Sequence, residues 1–535
     1  MSIQDNPAGQ HRPALSVVSA LLLAVSAVWC TYWFVHAWNY WEDDAYIHLE
    51  FARSVVAGRG FAFNGRVVAG DTAPLWVFLL AGMHGLIPDW LVAGKVLTAF
   101  GAAFGLTGAY VYSHKLAATL IPSIPGAAIF PAAMVLLIVA NPYSCYWLFS
   151  GMEPFAAAGV AFFAALAATR RLPSTGAFLT GCMLAGIAPL LRPEMVFLTA
   201  LLAVALLGQW YRLPSTPAKP ASFAAGLLLI AGPLTLWSIY SLHAFGHLLP
   251  NTNAAKRADP AQSVVLHLLS IFSFGFPAIV CGLLAGIAYL LLRASAVRRS
   301  LQSAIASAFA RPAQSATNGT VSLPLSGWLF ILWPAISTIF YIANHTYVQT
   351  RYILVTAPGL TIVIMAVAIR AFRRTGRVLY LLALASAFVV SIAIGRPFVR
   401  NKGINCQLNR DMALFIRDHT PPDAPVADYS IGEIAFDSEH PIIDTGGITR
   451  PGAIPYLYSP PEAMARWARA EGAQYDIVAK QPEPGAVAVY SQNQAFVGWT
   501  LNPAFYSTTY PVSLWKFAPV SAPPEQAEGS LASHP

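Results

Sequence analysis

Long apolar segments recur along almost the whole chain, and they restrict its fold more than any other feature. A helix of about 20 apolar residues spans the hydrocarbon core of a bilayer. Only 10% of the 535 residues are charged and the mean hydropathy is +0.56, which leaves too few polar groups to cover the surface of a soluble protein. We therefore predict a polytopic α-helical membrane protein with about 11 transmembrane helices. The segments lie near residues 14–35, 91–112, 127–147, 152–168, 176–191, 194–208, 221–242, 264–292, 325–343, 352–370 and 378–395.

Lysine and arginine residues are concentrated in alternate loops, and this pattern predicts the topology, because cytoplasmic loops are enriched in them. With the N-terminus inside, an odd number of crossings places the region after residue 395 outside. The net charge of +8 belongs to these loops and no nucleic-acid motif accompanies it, so no nucleic-acid partner is predicted. The residues predicted inside are Lys115, Arg170, Arg171, Arg212, Lys219, Arg293, Arg298, Arg299, Arg370, Arg373, Arg374 and Arg377.

Two apolar runs need separate interpretation. The run from Ala14 to Val35 exceeds the roughly 7–15 residues of a signal-peptide core and no A-x-A site follows it, so we interpret it as a retained first helix. The run from Pro74 to Leu86 is shorter than the about 20 residues that one crossing needs. We interpret it as a re-entrant or interfacial segment.

Composition divides the chain into three parts. Residues 1–395 form the predicted transmembrane domain, with a first outer loop at 36–90 and a cytoplasmic loop at 296–324. Residues 396–518 form a predicted extracytoplasmic α/β domain, and residues 519–535, rich in Pro, Ser, Ala and Glu, form a predicted disordered tail. Within the outer domain we predict helices at 411–419 and 460–472, and strands at 424–429, 475–479, 486–490 and 510–517.

Charged residues at the ends of the apolar segments fall on the predicted outer side. Each could be an ordinary loop charge, but a shared extracytoplasmic site would require their joint placement on one face. These residues are Glu42, Asp43, Asp44, Glu153, Arg192, Glu194, Lys256 and Arg351.

The most informative local sequence is the acidic run at residues 42–44. Adjacent carboxylates near a membrane repel one another and lose solvation, and both effects raise their pKa values. A carboxylate next to an acceptor hydroxyl can take its proton, whereas the alternative is a solvated turn that caps a helix. A divalent cation near Asp43 and Asp44 is a further option that the sequence does not demand. The following residues, 44–57, place Ile47, Phe51 and Val55 on one helical face, which is typical of an interfacial helix.

Several motifs resemble those of polyprenyl-phosphate-dependent, C-type (GT-C) glycosyltransferases, and most closely the actinobacterial cell-wall terminal arabinofuranosyltransferases. The resemblance covers most of the chain, and its most specific motif is Leu249-Pro250-Asn251-Thr252 with Lys256. The other motifs are Asp43-Asp44-Ala45-Tyr46-Ile47, Phe51-Ala52-Arg53, Gly58-Arg59-Gly60-Phe61, Phe63-Asn64, Gly70-Asp71-Thr72-Ala73-Pro74-Leu75-Trp76, Ser150-Gly151-Met152-Glu153, Leu191-Arg192-Pro193-Glu194, Arg351-Tyr352, and Ser430-Ile431-Gly432-Glu433-Ile434 with Ile443-Asp444.

The resemblance implies a GT-C-like helical bundle, interfacial helices in the first outer loop and a C-terminal extracytoplasmic domain in a bacterial cytoplasmic membrane. It also implies that Asp43 or Asp44 is the catalytic base, with Asp43 favoured because related families carry the key acid first. Ala73, Met152 and Asn253 depart from the family pattern, which leaves the sugar and the acceptor open. The implied substrate-binding residues are Trp76, Glu153, Arg192, Glu194, Asn251, Lys256, Arg351 and Tyr352.

The implied activity is transfer of a sugar, arabinofuranose in the closest relatives, from a polyprenyl phosphate to a glycan, lipid or protein acceptor. The leaving phosphate needs cations, and Arg192, Lys256 and Arg351 are the outer-face candidates. Each could instead be a snorkelling residue or an ion-pair partner of Glu153 or Glu194. The main alternative function is a transporter or flippase of lipid-linked sugars, although no internal repeat supports it.

Overall fold

The protein is a helical bundle followed by a small mixed α/β region. The computed structural model describes residues 16–122, 124, 126–170, 174–257, 262–275, 299, 302, 323–371, 373–500 and 502–518. Most of the predicted 296–324 loop with Arg298, the second half of the 264–292 segment, and the 519–535 tail lie outside the described residues. The helices are α1 (Val17–His36), α2 (Asp43–Val56), α3 (Pro74–His84), α4 (Trp90–Leu120), α5 (Phe130–Ala140), α6 (Pro142–Trp147), α7 (Pro154–Ala168), α8 (Thr175–Leu191), α9 (Met195–Arg212), α10 (Lys219–Phe245), α11 (Thr252–Ala255), α12 (Val264–Gly275), α13 (Leu325–Ala343), α14 (Thr350–Ala371), α15 (Arg373–Val390), α16 (Arg396–His419), α17 (Ile431–Ser438) and α18 (Pro461–Ala470).

Seven helical segments in the described part of the chain are long and apolar enough to cross a membrane. Four shorter apolar helices, α3, α5, α7 and α8, pack among them. The multi-pass helical class predicted from the sequence is therefore confirmed, whereas the count of about 11 crossings stays a prediction. The seven segments are Val17–His36, Trp90–Leu120, Met195–Arg212, Lys219–Phe245, Leu325–Ala343, Thr350–Ala371 and Gly376–His419.

Small residues allow the helices of the bundle to approach closely. A Cβ atom on Gly105 of α4 would collide with the carbonyl of Phe155 on α7, and one on Gly186 of α8 would collide with the carbonyl of Leu229 on α10. Association of helices in lipid depends on such close packing, because apolar side chains gain little by leaving lipid for protein. These two contacts join the helices that carry Glu153 and Arg192 to their neighbours.

The apolar segment at 127–147 differs from the prediction, because it forms two helices and not one. Asn141 leaves the helical conformation, and its Oδ1 accepts a hydrogen bond from the Tyr143 backbone at 2.9 Å, which caps the second helix. Pro142 occupies the first position of that helix, where the missing N–H has no cost. The break lets α6 turn towards the acidic loop, where Tyr146 contacts Glu42.

The first outer loop contains two short helices and a two-stranded hairpin, Ala62–Phe63 with Arg66–Val67. Helix α2 is buried from Ala45 to Ala52, and Leu49, Phe51 and Ala52 are fully enclosed. Helix α3 has 11 residues and is about 16 Å long, which is too short for a bilayer crossing. Its length fits the predicted re-entrant or interfacial segment.

The C-terminal region contains a five-stranded sheet with the order β4-β3-β5-β7-β6. Strands β3, β4 and β5 are parallel, and β7 runs antiparallel to both β5 and β6. Four of these strands were predicted from the sequence, whereas β4 was not. The strands are β3 (Val426–Asp428), β4 (Ile442–Asp444), β5 (Tyr475–Val478), β6 (Val487–Ala495) and β7 (Thr509–Lys516).

A long helix connects the bundle to the sheet. Helix α15 continues through a π-helical turn, Ser391–Gly395, into α16, so the predicted domain boundary at residue 396 lies within one helical segment. The prediction placed a helix only at 411–419, whereas the observed helix α16 begins at Arg396. Helix α16 packs against β6, and Asn405 exchanges two hydrogen bonds with Ala495 at 2.9 and 2.8 Å.

The hairpin of the first outer loop is bonded to the C-terminal region, so both lie at the same end of the bundle. Asn64 Nδ2 donates to the His440 carbonyl and the Ile442 N–H donates to Asn64 Oδ1, both at 2.8 Å.

We expect both regions to face the outside of the cell, because the distribution of lysine and arginine assigns the alternate loops to the cytoplasm. In a cysteine-free background, a membrane-impermeant maleimide should label Val67→Cys and Glu462→Cys in intact cells, since both side chains are exposed. Ser215→Cys, exposed in the loop between α9 and α10, should react only after permeabilisation. Labelling of Ser215→Cys in intact cells would contradict the predicted orientation.

Candidate active site

The acidic run forms the start of α2, and its three carboxylates have different surroundings. Glu42 is held by the hydroxyls of Tyr40, at 2.9 Å, and Tyr146, with Lys402 Nζ at 3.6 Å. Both hydroxyls donate to the same oxygen, Oε2. Glu42 therefore anchors the loop to α6 and α16, and its carboxylate is already occupied by these partners.

Asp44 is the meeting point of two cations that lie far away in the sequence. Lys256 Nζ lies 2.9 Å from Asp44 Oδ2, and Arg351 Nη2 donates to the same oxygen. Burial would raise the pKa of Asp44, but the charges of Arg351 and Lys256 outweigh it and hold that pKa well below its usual range. Asp44 is therefore a permanently charged partner for the two cations and a weak proton acceptor.

Asp43 forms no ion pair within the described part of the chain. Its Oδ1 accepts a hydrogen bond from the backbone N–H of Glu433 at 3.1 Å. Burial raises the pKa of Asp43 to about 7, and the charges of Asp44 and Glu42 act in the same direction. The backbone N–H groups of Glu433 and Gly432 oppose this rise. The carboxylate is thus poised to exchange a proton near neutral pH.

Arg351 has spare hydrogen-bonding capacity at this site. Its side chain is 3% exposed, yet its Nε and Nη1 have no hydrogen-bond partner among the described residues. The guanidinium carbon lies 5.4 Å from the ring centre of Trp147 and 5.5 Å from that of Tyr352. These rings hold the guanidinium in place while two of its N–H directions stay available, as an anion-binding arginine requires.

Arg192 has a different environment and belongs to a buried network. Its Nη1 lies 2.5 Å from Glu153 Oε1 and its Nε lies 2.6 Å from Glu194 Oε1. The ring centre of Tyr352 lies 4.9 Å from the guanidinium carbon of Arg192 and 5.5 Å from that of Arg351. Of the alternatives given for Arg192, this geometry favours the ion pair over a phosphate contact.

His48 extends this network and was not predicted as a site residue. Its Nδ1 contacts Asp71 and its Nε2 lies 3.3 Å from Glu153 Oε2. Burial would lower the pKa of His48, but the charges of Asp71 and Glu153 raise it to about 10, so the imidazole is charged. Its position one helical turn after Asp44 was the available signal, since residues at i and i+4 share a helix face.

Trp76 and Asn251 have supporting positions. Trp76 is 1% exposed and its Nε1 donates to the Gly151 carbonyl at 3.1 Å. Gly151 has a φ of +90°, and a Cβ there would lie 2.6 Å from the Trp41 ring. Asn251 donates its backbone N–H to the Ala69 carbonyl at 3.0 Å, which attaches the segment before Lys256 to the first outer loop.

The acidic pair does not fit a divalent cation. Asp44 already has two cations on one oxygen, and Asp43 Oδ1 accepts a backbone hydrogen bond. Across the described residues, no group of three or more His, Cys, Asp or Glu side chains could hold a metal ion. The positive charges of Lys256 and Arg351 would also repel a metal at this position.

Solved structures of other proteins are similar to this chain in their fold. ArnT from Cupriavidus metallidurans bound to undecaprenyl phosphate aligns with 94% of this chain and 99% of its own, at a TM-score of 0.52 and 13% identity. The chain has a GT-C-like fold. The apo state of ArnT also aligns, at a TM-score of 0.50 and 13% identity over 94% of this chain and 98% of its own. The Archaeoglobus fulgidus oligosaccharyltransferase complex with Zn and sulfate covers 85% of this chain and 67% of its own at 10% identity, but its TM-score of 0.40 is too low to support a conclusion.

The sequence comparisons add one match. A family described as a domain of unknown function (DUF8728) matches residues 399–520, which include α17 and the whole C-terminal sheet. No curated protein matches the sequence significantly. The C-terminal part of this GT-C-like chain therefore matches a sequence family without an assigned function.

Proposed function

We propose that this protein is a membrane glycosyltransferase that transfers a sugar from a polyprenyl-phosphate donor to an acceptor outside the cytoplasmic membrane. The observation that carries the proposal is that the two aspartates of the acidic pair have different surroundings. Asp44 is neutralised by Lys256 and Arg351, whereas the adjacent Asp43 has a pKa of about 7 and no ion-pair partner in the described structure. A base and a cationic site thus lie next to each other, as transfer from a phosphate leaving group requires.

In the proposed reaction Asp43 takes the proton of the acceptor hydroxyl. The hydroxyl oxygen forms a bond to the anomeric carbon of the donor as the bond from that carbon to the phosphate oxygen breaks. The bonding electrons leave with the polyprenyl phosphate. A single displacement needs one base and inverts the anomeric centre, which suits a site with one proton-accepting carboxylate.

Lys256 and Arg351 bind the donor phosphate in this proposal. In the proposed complex the phosphate oxygens accept from Nε and Nη1 of Arg351, which have no hydrogen-bond partner among the described residues, and from the remaining N–H bonds of Lys256, while both cations stay paired with Asp44. The fold shared with ArnT, which binds undecaprenyl phosphate in its crystal structure, supports a polyprenyl phosphate as the carrier. We take arabinofuranose as the first sugar to test, because of the motifs at residues 43–76 and 249–256.

Removal of either cation should weaken binding of the carrier. For Lys256→Ala and Arg351→Ala, we expect the affinity for undecaprenyl phosphate in nanodiscs to fall by roughly 10- to 150-fold, the loss of one charge-assisted contact of about 1.5–3 kcal/mol. Lys480→Ala and Arg417→Ala are matched controls on exposed surface and should bind as the wild type does. If all four variants bound undecaprenyl phosphate with the same affinity, the phosphate-binding site would lie elsewhere.

A turnover assay separates the proposal from the transporter alternative. Purified protein in nanodiscs is mixed with a panel of polyprenyl-phosphate sugars, which includes the arabinofuranosyl compound, and with short glycan acceptors. A transferase releases free polyprenyl phosphate and elongates the acceptor. A transporter moves the intact donor across the membrane of proteoliposomes and releases no free polyprenyl phosphate. That result would reject the proposed function.

A further inference from the structure

The start of α17 in the C-terminal region lies directly on Asp43. The Glu433 N–H donates to Asp43 Oδ1 at 3.1 Å. A Cβ atom at Gly432 would lie 2.9 Å from the same oxygen and would collide with the carbonyl oxygen of Asp43. Glycine at 432 is therefore required by this close approach, because any side chain would push α17 and α2 apart.

The contact continues along α2 beyond Asp43. The rings of Tyr46 and Phe436 lie 5.6 Å apart. Arg53, near the end of α2, lies 4.8 Å from the Phe436 ring centre, donates to the Phe436 carbonyl at 3.3 Å and pairs with Glu439 at 3.2 Å. The two helices are thus held together at both ends, so their relative position is determined by several independent contacts.

The sheet and α16 hold α17 in turn. Helix α17 connects the parallel strands β3 and β4, and Asp428 at the end of β3 accepts a hydrogen bond from the Ser430 N–H at 3.2 Å. Asn409 of α16 donates to the buried Glu433 carboxyl at 3.1 Å. The segment that contacts Asp43 is therefore attached to a rigid element, which is how precise sites are usually built.

We infer that the C-terminal region, including the matched family of unknown function, is a structural part of the catalytic centre that orients the base and shields it from water. Gly432 and Glu433 are its positioning residues, through close packing and a backbone N–H respectively. The inference rests on the proposed function, because it takes Asp43 as the base. An accessory region that only binds the acceptor would need no such contact with Asp43.

The effect on the proton affinity of Asp43 depends on all charges that face it. Burial is the largest cause of its raised pKa, and α17 supplies part of that burial. If α17 moves away, water reaches the carboxylate, which lowers its pKa, while the N–H groups of Gly432 and Glu433 are lost, which raises it. Because burial is the larger of these two causes, we expect the pKa to fall towards the usual range. The facing titratable groups are Glu42 and Asp44 beside it on the acidic run, Glu433 on α17, Asp428 on β3 and Lys402 on α16.

The test is Gly432→Ala, with Gly403→Ala as the matched control. A Cβ at Gly403 on α16 would have no neighbour closer than 3.9 Å, so the same substitution costs nothing there. We expect Gly432→Ala to lower turnover of the donor by about 100-fold, since displacement of a catalytic group by about 1 Å has an effect of that size. Its affinity for undecaprenyl phosphate should stay unchanged, because Lys256 and Arg351 are untouched.

A second readout needs no substrate. Dicyclohexylcarbodiimide reacts with protonated buried carboxyls, and mass spectrometry reports the modified fraction of Asp43 as a function of pH. The midpoint should lie near 7 in the wild type and in Gly403→Ala, and at lower pH in Gly432→Ala. If Gly432→Ala does not fold, Phe436→Ala loosens the same helix pair without contact to Asp43, and its midpoint should shift in the same direction.

The outcomes separate the inference from the proposed function. A wild-type midpoint and wild-type turnover in Gly432→Ala would overturn the inference and leave the transferase proposal intact. A shifted midpoint in a protein that binds no undecaprenyl phosphate would support the packing role while rejecting the donor. Equal shifts in Gly432→Ala and Gly403→Ala would indicate a general structural effect and would also overturn the inference.

Discussion

Asp43→Asn should reduce sugar transfer by about 10²–10⁴-fold while the protein stays folded and binds undecaprenyl phosphate normally, because loss of a general base has an effect of that size. The substitution keeps the shape of the side chain and the oxygen that accepts from the Glu433 N–H. It removes the negative charge of the carboxylate and with it the ability to take a proton. Steady-state turnover of the donor, measured beside carrier affinity in nanodiscs, tests this expectation.

The pH dependence of wild-type turnover has a definite sign. In the proposed reaction Asp43 acts as the deprotonated base, and its pKa of about 7 means that the rate should rise with pH through that region. Asp44 is ionised throughout this range, because Arg351 and Lys256 keep its pKa far below. A rate that falls as pH rises through 7 would contradict the assignment of Asp43 as the base.

Asp44→Asn is the matched comparison, since it changes the neighbouring residue in the same way. It leaves Lys256 and Arg351 without their carboxylate, so both cations become more available to an anion. We expect carrier binding to be retained or to tighten. The base would instead be Asp44 if the pH profile of turnover became flat near 7 in Asp44→Asn and stayed as in the wild type in Asp43→Asn.

Arg192→Ala should lower the free energy of unfolding by about 3–5 kcal/mol, which is the usual cost of leaving buried charges without a partner. Glu153 and Glu194 both pair with Arg192, and all three side chains are buried. Denaturant unfolding in detergent micelles measures the change. His48 would still contact Glu153, so part of the network remains.

Arg417→Ala is the control for this stability experiment. Arg417 is exposed, and its one ion-pair partner among the described residues is its neighbour Asp418, so its removal should leave the unfolding transition almost unchanged. Wild-type stability of Arg192→Ala, together with weaker binding of undecaprenyl phosphate, would restore the phosphate role that was one of the three alternatives for Arg192. Reduced stability with normal binding would establish the ion-pair role.

The helical class followed from the sequence because apolar length is a local property. Segments such as 325–343 contain enough apolar residues in one stretch to determine their own structure in lipid, and the observed helix Leu325–Ala343 has the predicted bounds. Four of the five C-terminal strands were predicted from the sequence. Strand β4, with three buried residues, and α17, with seven of its eight residues buried, form because their neighbours cover them.

In the site, too, some features follow from the sequence and others depend on tertiary contacts. The sequence identified the acidic run and the three cations, since charges at the ends of apolar segments stand out. It gave no reason to separate Lys256 and Arg351 from Arg192. That separation depends on which carboxylate each cation meets after folding, and on a buried His48 that links Asp71 to Glu153.

Asp43 and Asp44 have the same chemistry and adjacent positions, so their residue types determined that a carboxylate pair opens α2, and only the family resemblance favoured Asp43 as the base. The tertiary structure decides between them through partners that are distant along the chain. Lys256 is 212 residues from Asp44, Arg351 is 307 residues from it, and Glu433 is 390 residues from Asp43. Because cations lower a carboxylate pKa and burial raises it, these long-range contacts alone make one aspartate an anchor and leave the other as a proton acceptor.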